Sequence, residues 1–554
     1  MSLSKWTVLL TTGVSLAPPQ SSAPVFTANT NLQSIVVQVT DKRGNGIQGL
    51  DVSEFTLLED GKRQKIAFFG TEKQPISLAI LLDASASMKS SRKLERAQAL
   101  LGPLIRGNQR DDQIFLVPFT AQIGSFVALT PEQRLATPII SSSERGGTAL
   151  FDSIATALCR LRSVPNVRQA VVVITDGADQ QSRLRLEQLL NLAQSSNPQI
   201  FMIGFWGQDE SDYYRHSGET VTLVNGQDID NPIQVFEHLA KDSGAESFFP
   251  ATDRDLKSVL ERILGILRAQ YTLAYYPEDV NKPRSIQVKV HRLGVSVASR
   301  RTVGSAGGGK LSVKFDSTCK VSPQAYPYPW EALITHEPSG AVTYRETFTN
   351  PRTGWPNRPR SHYVAGAYEM SRKIDIAQGS GHPGDAPGSA VAYGPWWTDF
   401  RATLLVDDES SDQEGEGMVF RLNGNGYYAL LLTRIGKMHS SFKLIKHRWD
   451  GALGAPFFPR METTIIPWSD ISELHSGVRQ TRPGKSNEEQ ITVECRGPLI
   501  KVWLDGADAV RVRDESFQDG YIGMAQFGYG RALFRDLEVQ GFELSAVQEN
   551  PIQP

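Results

Sequence analysis

The chain has 554 residues, 40% of them hydrophobic, with 58 lysines and arginines against 60 aspartates and glutamates and a formal net charge of −2. That length holds about two to four domains, and the charge balance excludes the broad basic field of a nucleic-acid binder. No stretch beyond the amino-terminal leader approaches the ~20 continuous apolar residues of a membrane helix. The leader runs from Met1 to Lys5, through the apolar segment Trp6 to Ala17, into a Pro/Ser-rich stretch ending at Pro24. This is the layout of a secretory signal, with small residues at Ala17 or Ala23 as cleavage candidates. Pro18 and Pro24 follow those residues unfavourably, so a disordered leader or a misplaced start codon stays open. Residues 1–28 are read as signal peptide and leader, which places the protein in the periplasm, at the cell surface or in the medium. Without a signal the expected location is cytoplasmic.

Residues 29–72 read as a small β unit. Ile35 to Thr40 is a strand, Asp41 to Gly46 a turn cluster, and Phe55 to Gly61 a second strand and turn. So few strands make no stable sheet alone and need partners elsewhere. Over 73–270 the pattern changes to continuous apolar strands, Leu78 to Leu82, Ile114 to Val117, Val171 to Ile174 and Ile200 to Phe205, separated by helical spacing. Leu94, Ala97, Leu101 and Leu104 recur at that spacing, as do Phe151, Ile154, Leu158 and Leu161, and then Leu186, Leu189, Leu190 and Ala193. Buried strands alternating with amphipathic helices predict a mostly parallel sheet covered on both faces. Pro103 predicts an early kink or stop in the first helix.

Strands return at Tyr271 to Tyr276 and Ser285 to Val290, within 271–303, and their natural partners are the orphan strands of 29–72. Gly304 to Lys310 begins a linker over 304–330. From 331 to 545 helical periodicity nearly vanishes. Short aromatic-rich strands such as Gly417 to Leu422, Tyr427 to Leu432, Ile500 to Leu504 and Tyr521 to Met524 predict an antiparallel jelly-roll sandwich, followed by a tail at 546–554. The fold class is therefore multidomain α/β plus all-β, with a doubly wound domain inserted in a small β-sandwich and a sandwich at the carboxyl end.

The most informative residues are Asp83-Ala84-Ser85-Ala86-Ser87, which directly follow the Leu78 strand. A carboxylate and alternating hydroxyls at the carboxyl edge of a parallel sheet offer an oxygen-rich site to a hard cation. Alone, the spacing is weak, since Asp and Ser after a strand commonly make a turn or helix cap. Two more segments sharpen it. Gly146-Gly147-Thr148 precedes the Phe151 helix, and Ile174-Thr175-Asp176-Gly177 ends the Val171 strand, at the same edge as Asp83.

Together these residues resemble the von Willebrand factor A family and its metal-ion-dependent adhesion site, an Asp-x-Ser-x-Ser motif joined by a distant Thr and a distant Asp. The matches are Asp83, Ser85, Ser87, Thr148 and Asp176. The resemblance implies that the serines and the threonine lie closest to Mg²⁺ (or Mn²⁺ or Ca²⁺), that the aspartates act mostly through water, and that an acidic group of a protein partner completes the shell. Val39 to Lys42, Gly49-Leu50, Phe55, Glu59 to Gln64 and Tyr271 to Pro277 further resemble the bacterial group called VWFA-related proteins of Acidobacteria.

Trp397 to Phe400, Gly417 to Arg421, Tyr427-Tyr428 with Gly436, Gly520 to Gly523 and Leu533 to Leu537 resemble concanavalin A-like lectin/glucanase sandwiches, which implies a recognition module of a fold that binds or cleaves carbohydrate in many families. Fold alone assigns no activity. A glycosidase needs two carboxylates close together. Glu414 and Glu416 share a face, but beside Asp407 to Glu409 and Asp412 they read more simply as a solvated acidic turn. Trp355, Trp396, Trp397 and Trp449 can stack on sugars, although aromatics in a sandwich are more often core. His382, His439, His447 and His475 show no metal or triad spacing. The reading is thus a metal-dependent, adhesion-type binding protein rather than an enzyme, with a carbohydrate-active enzyme as the alternative. Cys159, Cys319 and Cys495 form no CxxC pair and support neither a zinc site nor a dense disulfide framework. Three unrelated buried thiols are the favoured reading, with one Cys319–Cys495 bridge as the alternative in an exported protein.

Overall fold

The structure is a computed structural model. It describes residues 32–543 except 72–74, 90–91, 107–108, 110, 137–138, 142–146, 165–167, 178, 223–227, 280–281, 305–312, 339, 358–360, 373–388, 409–414, 424–425, 436–437, 450–459, 471–487 and 528–529. The leader, Gly146, most of the glycine linker, Glu414, His382, His475 and the tail therefore lie outside the described residues.

A five-stranded parallel sheet lies at the centre of the α/β part, in the order Ser247–Phe248, Gln199–Gly204, Arg168–Thr175, Ile76–Asp83, Gln113–Phe119. All eight residues of Ile76–Asp83 are buried, because helices cover both faces. Leu150–Leu161, Leu186–Ser195 and Pro232–Ser243 pack on one face against Ala79, Leu81, Val171 and Val173. Lys93–Leu100, Gly102–Arg106 and Asp253–Arg268 pack on the other against Leu78, Ile80, Val172 and Ile174. The first of these helices stops at Leu100 and a separate one carries Pro103 in its first turn, where the missing N–H costs nothing. The helices Gln208–His216 and Pro232–Ser243 were not among the expected elements. The second has clear signals, an Asn231 cap, Pro at the first turn and Gly244 with φ 81° just past its end.

The segments before and after this unit share two four-stranded sheets. Gln33–Thr40 pairs antiparallel with Gln270–Tyr275, and Phe55–Glu59 with Arg284–Val290. Alternation puts Ile35, Val37, Val39, Phe55, Leu57, Tyr271, Leu273, Ile286 and Val288 into one core between them. In the carboxyl-terminal part a nine-stranded and a six-stranded sheet enclose one core. Phe400, Val493 and Phe534 come from the first sheet, and Met418, Tyr428 and Met524 from the second.

The cysteines differ from both expectations. Cys159, on the helix Leu150–Leu161, is bonded to Cys319, while Cys495 is free and buried in the carboxyl-terminal core. The partners are 160 residues apart, and only the fold brings them together. Val313, Phe315, Val321 and Tyr326 pack into the core cluster that contains the Leu150–Leu161 helix, which seats Cys319 on it.

Candidate functional site

The chain runs from Ile76–Asp83 outward to Gln113–Phe119, then returns to the other side of Ile76–Asp83 with Arg168–Thr175. The strand order therefore reverses between Ile76–Asp83 and Arg168–Thr175, and loops leaving those two strands diverge to opposite sides of the sheet. Such a point forms a crevice at the carboxyl edge. Asp83 ends the first strand and Asp176 directly follows the second.

Asp83 anchors the turn that follows it. Ser85 N donates to Asp83 Oδ1 at 2.8 Å, and Ala84 N donates to the Phe119 carbonyl at 2.8 Å. The other carboxylate oxygen, Oδ2, accepts from Thr175 Oγ1 at 2.5 Å. The Ser85 and Ser87 hydroxyls are 3.0 Å apart, and Ser87 Oγ donates to Asp176 Oδ1 at 2.8 Å. Lys93 Nζ sits 2.9 Å from Asp176 Oδ2 and forms a buried ion pair. Trp206 Nε1 donates to the Asp176 carbonyl at 2.8 Å, which fixes the backbone of that loop.

Thr148 joins the cluster from the third loop. A Cβ on Gly177 would lie 3.1 Å from Thr148 Oγ1 and 3.5 Å from Asp83 Oδ2, so glycine leaves room for the hydroxyl and the carboxylate to approach one another. The Thr148 carbonyl accepts from Gln180 N and Gln181 N at 2.9 and 3.0 Å, and Gly147 N donates to Gln181 Oε1 at 3.1 Å. All five predicted residues are buried, with none more than 6% exposed. Burial, and then the charge of Asp176, push the Asp83 carboxyl up to about 7, against the opposing hydrogen bonds from Thr175 and Ser85.

The donor set is two carboxylates and three hydroxyls, the oxygen-only surroundings that suit a hard divalent cation. Among the described residues no group of three or more His, Cys, Asp or Glu side chains offers an alternative centre. Lys93 was not anticipated. It places one positive charge against Asp176, so the cluster carries internal compensation for one of its two carboxylates. Thr175 and Trp206 were also missed. Thr175 stood next to Asp176 in sequence, but nothing in the spacing of Lys93 or Trp206 shows that they reach the site.

Residues 78–178, which contain Asp83, Ser85, Ser87, Thr148 and Asp176, match the family model of the von Willebrand factor type A domain. The chain contains a von Willebrand factor type A domain. A curated relative, an uncharacterised protein of Borreliella burgdorferi, is 29% identical over 142 residues, covering 24% of this chain and 41% of the relative. The chain thus spans less than half the length of that relative. Among solved structures, an aerotolerance-related membrane protein of Bacteroides fragilis aligns at 20% identity and a TM-score of 0.27, covering 34% of this chain and 98% of its own. The carbohydrate-binding module CBM66 of Bacillus subtilis aligns at 13% identity and a TM-score of 0.21, covering 35% of this chain and 94% of its own. At these scores neither likeness assigns a role to this chain.

The type A domain meets the carboxyl-terminal sandwich beside the Thr148 loop. Gln181 Nε2 donates to the Tyr521 hydroxyl at 2.7 Å, and Tyr328 donates to the Gln181 carbonyl. Arg183 pairs with Glu331 at 2.8 Å and lies over the Tyr328 ring at 4.2 Å. Within the sandwich, Trp355 and Trp397 are core residues, and Trp396 packs against a second buried cluster. His447 is buried and stacks on Tyr427. Glu416 is fully buried on its strand, with Leu432 and Gln526 as register partners, rather than in a solvated turn.

Proposed function

We propose that this chain is a non-enzymatic, exported binding protein whose type A domain uses a divalent cation to engage an acidic group on a protein partner. The observation that carries the reading is the convergence of Asp83, Ser85, Ser87, Thr148 and Asp176 on one oxygen-rich cluster at the reversal point of the parallel sheet. Mg²⁺, or Mn²⁺ or Ca²⁺ in its place, would be held by these five residues and would supply an open coordination position for the partner's carboxylate. The remaining residues prepare the site. Thr175 orients Asp83, Trp206 holds the Asp176 backbone, and Lys93 offsets the repulsion between two buried carboxylates.

The carboxyl-terminal sandwich is proposed as a second recognition module of the concanavalin A-like type, with glycan as its candidate ligand, in a protein of the Acidobacteria-type VWFA-related group. Two tethered modules raise effective concentration on a shared target. The Cys159–Cys319 bridge supports export, because disulfides persist in oxidising compartments. Among the described residues no helix is long and apolar enough to cross a membrane.

The test is a pulldown from the source organism with Mg²⁺ and with chelator, followed by affinity measurements on the captured partner. Asp83→Ala and Thr148→Ala should each weaken Mg²⁺-dependent binding by roughly tenfold or more. Metal-independent binding that survives in both variants would remove the mechanism. A glycan panel should show binding without reducing-end release. Release that disappears in Glu416→Gln would instead point to an enzyme.

A further inference from the structure

A cavity of about 230 Å³ opens between the small β-sandwich and the α/β unit, on the side of the molecule where the helix Leu186–Ser195 ends. Its polar walls are Arg284, Arg300, Gln33, Ser195 and Asn197, and among the described residues no carboxylate lines it. The two arginines are almost entirely inaccessible, at 2% and 5% exposure. A buried guanidinium normally has a carboxylate partner and hydrogen bonds for its donors.

Arg284 has part of that set. Its Nη1 lies 2.7 Å from Glu59 Oε1, which balances its charge, and its Nη2 donates to Gln33 Oε1 at 3.3 Å. Among the described residues its Nε is buried without a hydrogen-bond partner. Gly304, with φ 88°, forms the adjoining wall, and a Cβ there would come within 3.7 Å of that nitrogen. Arg300 is less well compensated. It donates to the carbonyl of Ser196, the residue that caps the carboxyl end of the Leu186–Ser195 helix, and among the described residues it has no carboxylate partner. The helix end contributes only about half a negative charge. Burial without a counter-ion lowers its pKa to about 10.

We propose that this cavity is a binding site for a small oxyanion of the phosphate or carboxylate class, held by Arg300 and the unpaired Nε edge of Arg284, with Asn197 and Ser195 at the mouth. Guanidinium donors suit such anions because their planar geometry matches paired acceptor oxygens. The volume accommodates the anionic group with a short substituent. The site is independent of the cation cluster and of the proposed adhesive role.

The test is calorimetric titration of the full chain with sodium phosphate and, separately, sodium succinate, each against sodium chloride at matched ionic strength. Saturable binding of either anion is expected, and the tighter of the two identifies the class. Arg300→Gln should weaken it by about tenfold or more. Asn197→Asp, at an exposed position where a new carboxylate repels the anion without disturbing the core, should weaken it as well and should melt as the parent does in chloride. Absence of saturable binding by both anions, or undiminished affinity in Asn197→Asp, would overturn the proposal.

Discussion

Two carboxylates buried side by side repel, and Lys93 is the residue that makes this arrangement tolerable. Its ammonium pairs with Asp176, while Asp83 relies on hydrogen bonds from Ser85 and Thr175 and on a raised pKa. Removing one member of a buried pair costs about 3–5 kcal/mol, because the other charge is left uncompensated. Lys93→Met is therefore expected to lose about 3 kcal/mol of stability in urea denaturation with chelator. Added Mg²⁺ should recover more stability in this variant than in the parent, since the cation then replaces the missing charge. An equal loss with and without Mg²⁺ would mean that Lys93 only packs. The five oxygen donors were legible because each stands at a strand end or loop in a fixed motif. Lys93 was not, because a lysine on a helix is ordinarily a solvated residue, and only the placement of Lys93–Leu100 over the cluster turns its side chain inward.

The helix Leu150–Leu161 carries the Thr148 loop at its start, and its first turn is organised by Asp179 instead of a local cap. Asp179 Oδ1 accepts from Phe151 N at 3.0 Å and from Ser182 Oγ at 2.5 Å. Burial, assisted by the neighbouring Asp152 charge, raises its carboxyl from the ordinary 3.8 to about 7 despite those hydrogen bonds. A folded-state pKa above the unfolded one means a proton is taken up on folding. Its stabilising contribution is complete below the unfolded pKa and fades as pH rises through about 7. Asp179→Asn keeps an acceptor oxygen for both donors but cannot ionise. It should gain roughly 2 kcal/mol on the parent between pH 4 and pH 8, allowing for solvent screening of a partly exposed group. Denaturation at a series of pH values checks this, and parallel curves for the two proteins would refute it. The apolar strands and the Phe151 helix were readable from periodicity, since a sheet covered on both faces needs continuous apolar runs. The short strands Thr220–Thr222 and Asp228–Asp230 carry no such run and were missed.

The segment from Val313 to Leu333 joins the type A domain to the carboxyl-terminal sandwich and is fastened to both. Cys319 bonds to Cys159, Arg183 pairs with Glu331, and Trp330 and Leu333 pack against the sandwich core. Loss of the bridge in Cys159→Ser or Cys319→Ser should lower stability by about 2–4 kcal/mol, because it closes a long loop in the unfolded chain. Limited proteolysis should then cut this segment faster, and unchanged cleavage and melting would show that the packing alone suffices. Composition, strand and helix periodicity and the placement of Asp83, Thr148 and Asp176 at strand ends or loops were all determined along the chain, because they depend on local spacing. The pairing of Cys159 with Cys319, the inward turn of Lys93, the burial of Glu416 and the meeting of Arg284 with Arg300 were decided only in three dimensions. Each joins residues whose separation in sequence carries no periodic signal, so their proximity follows from how whole sheets and helices stack.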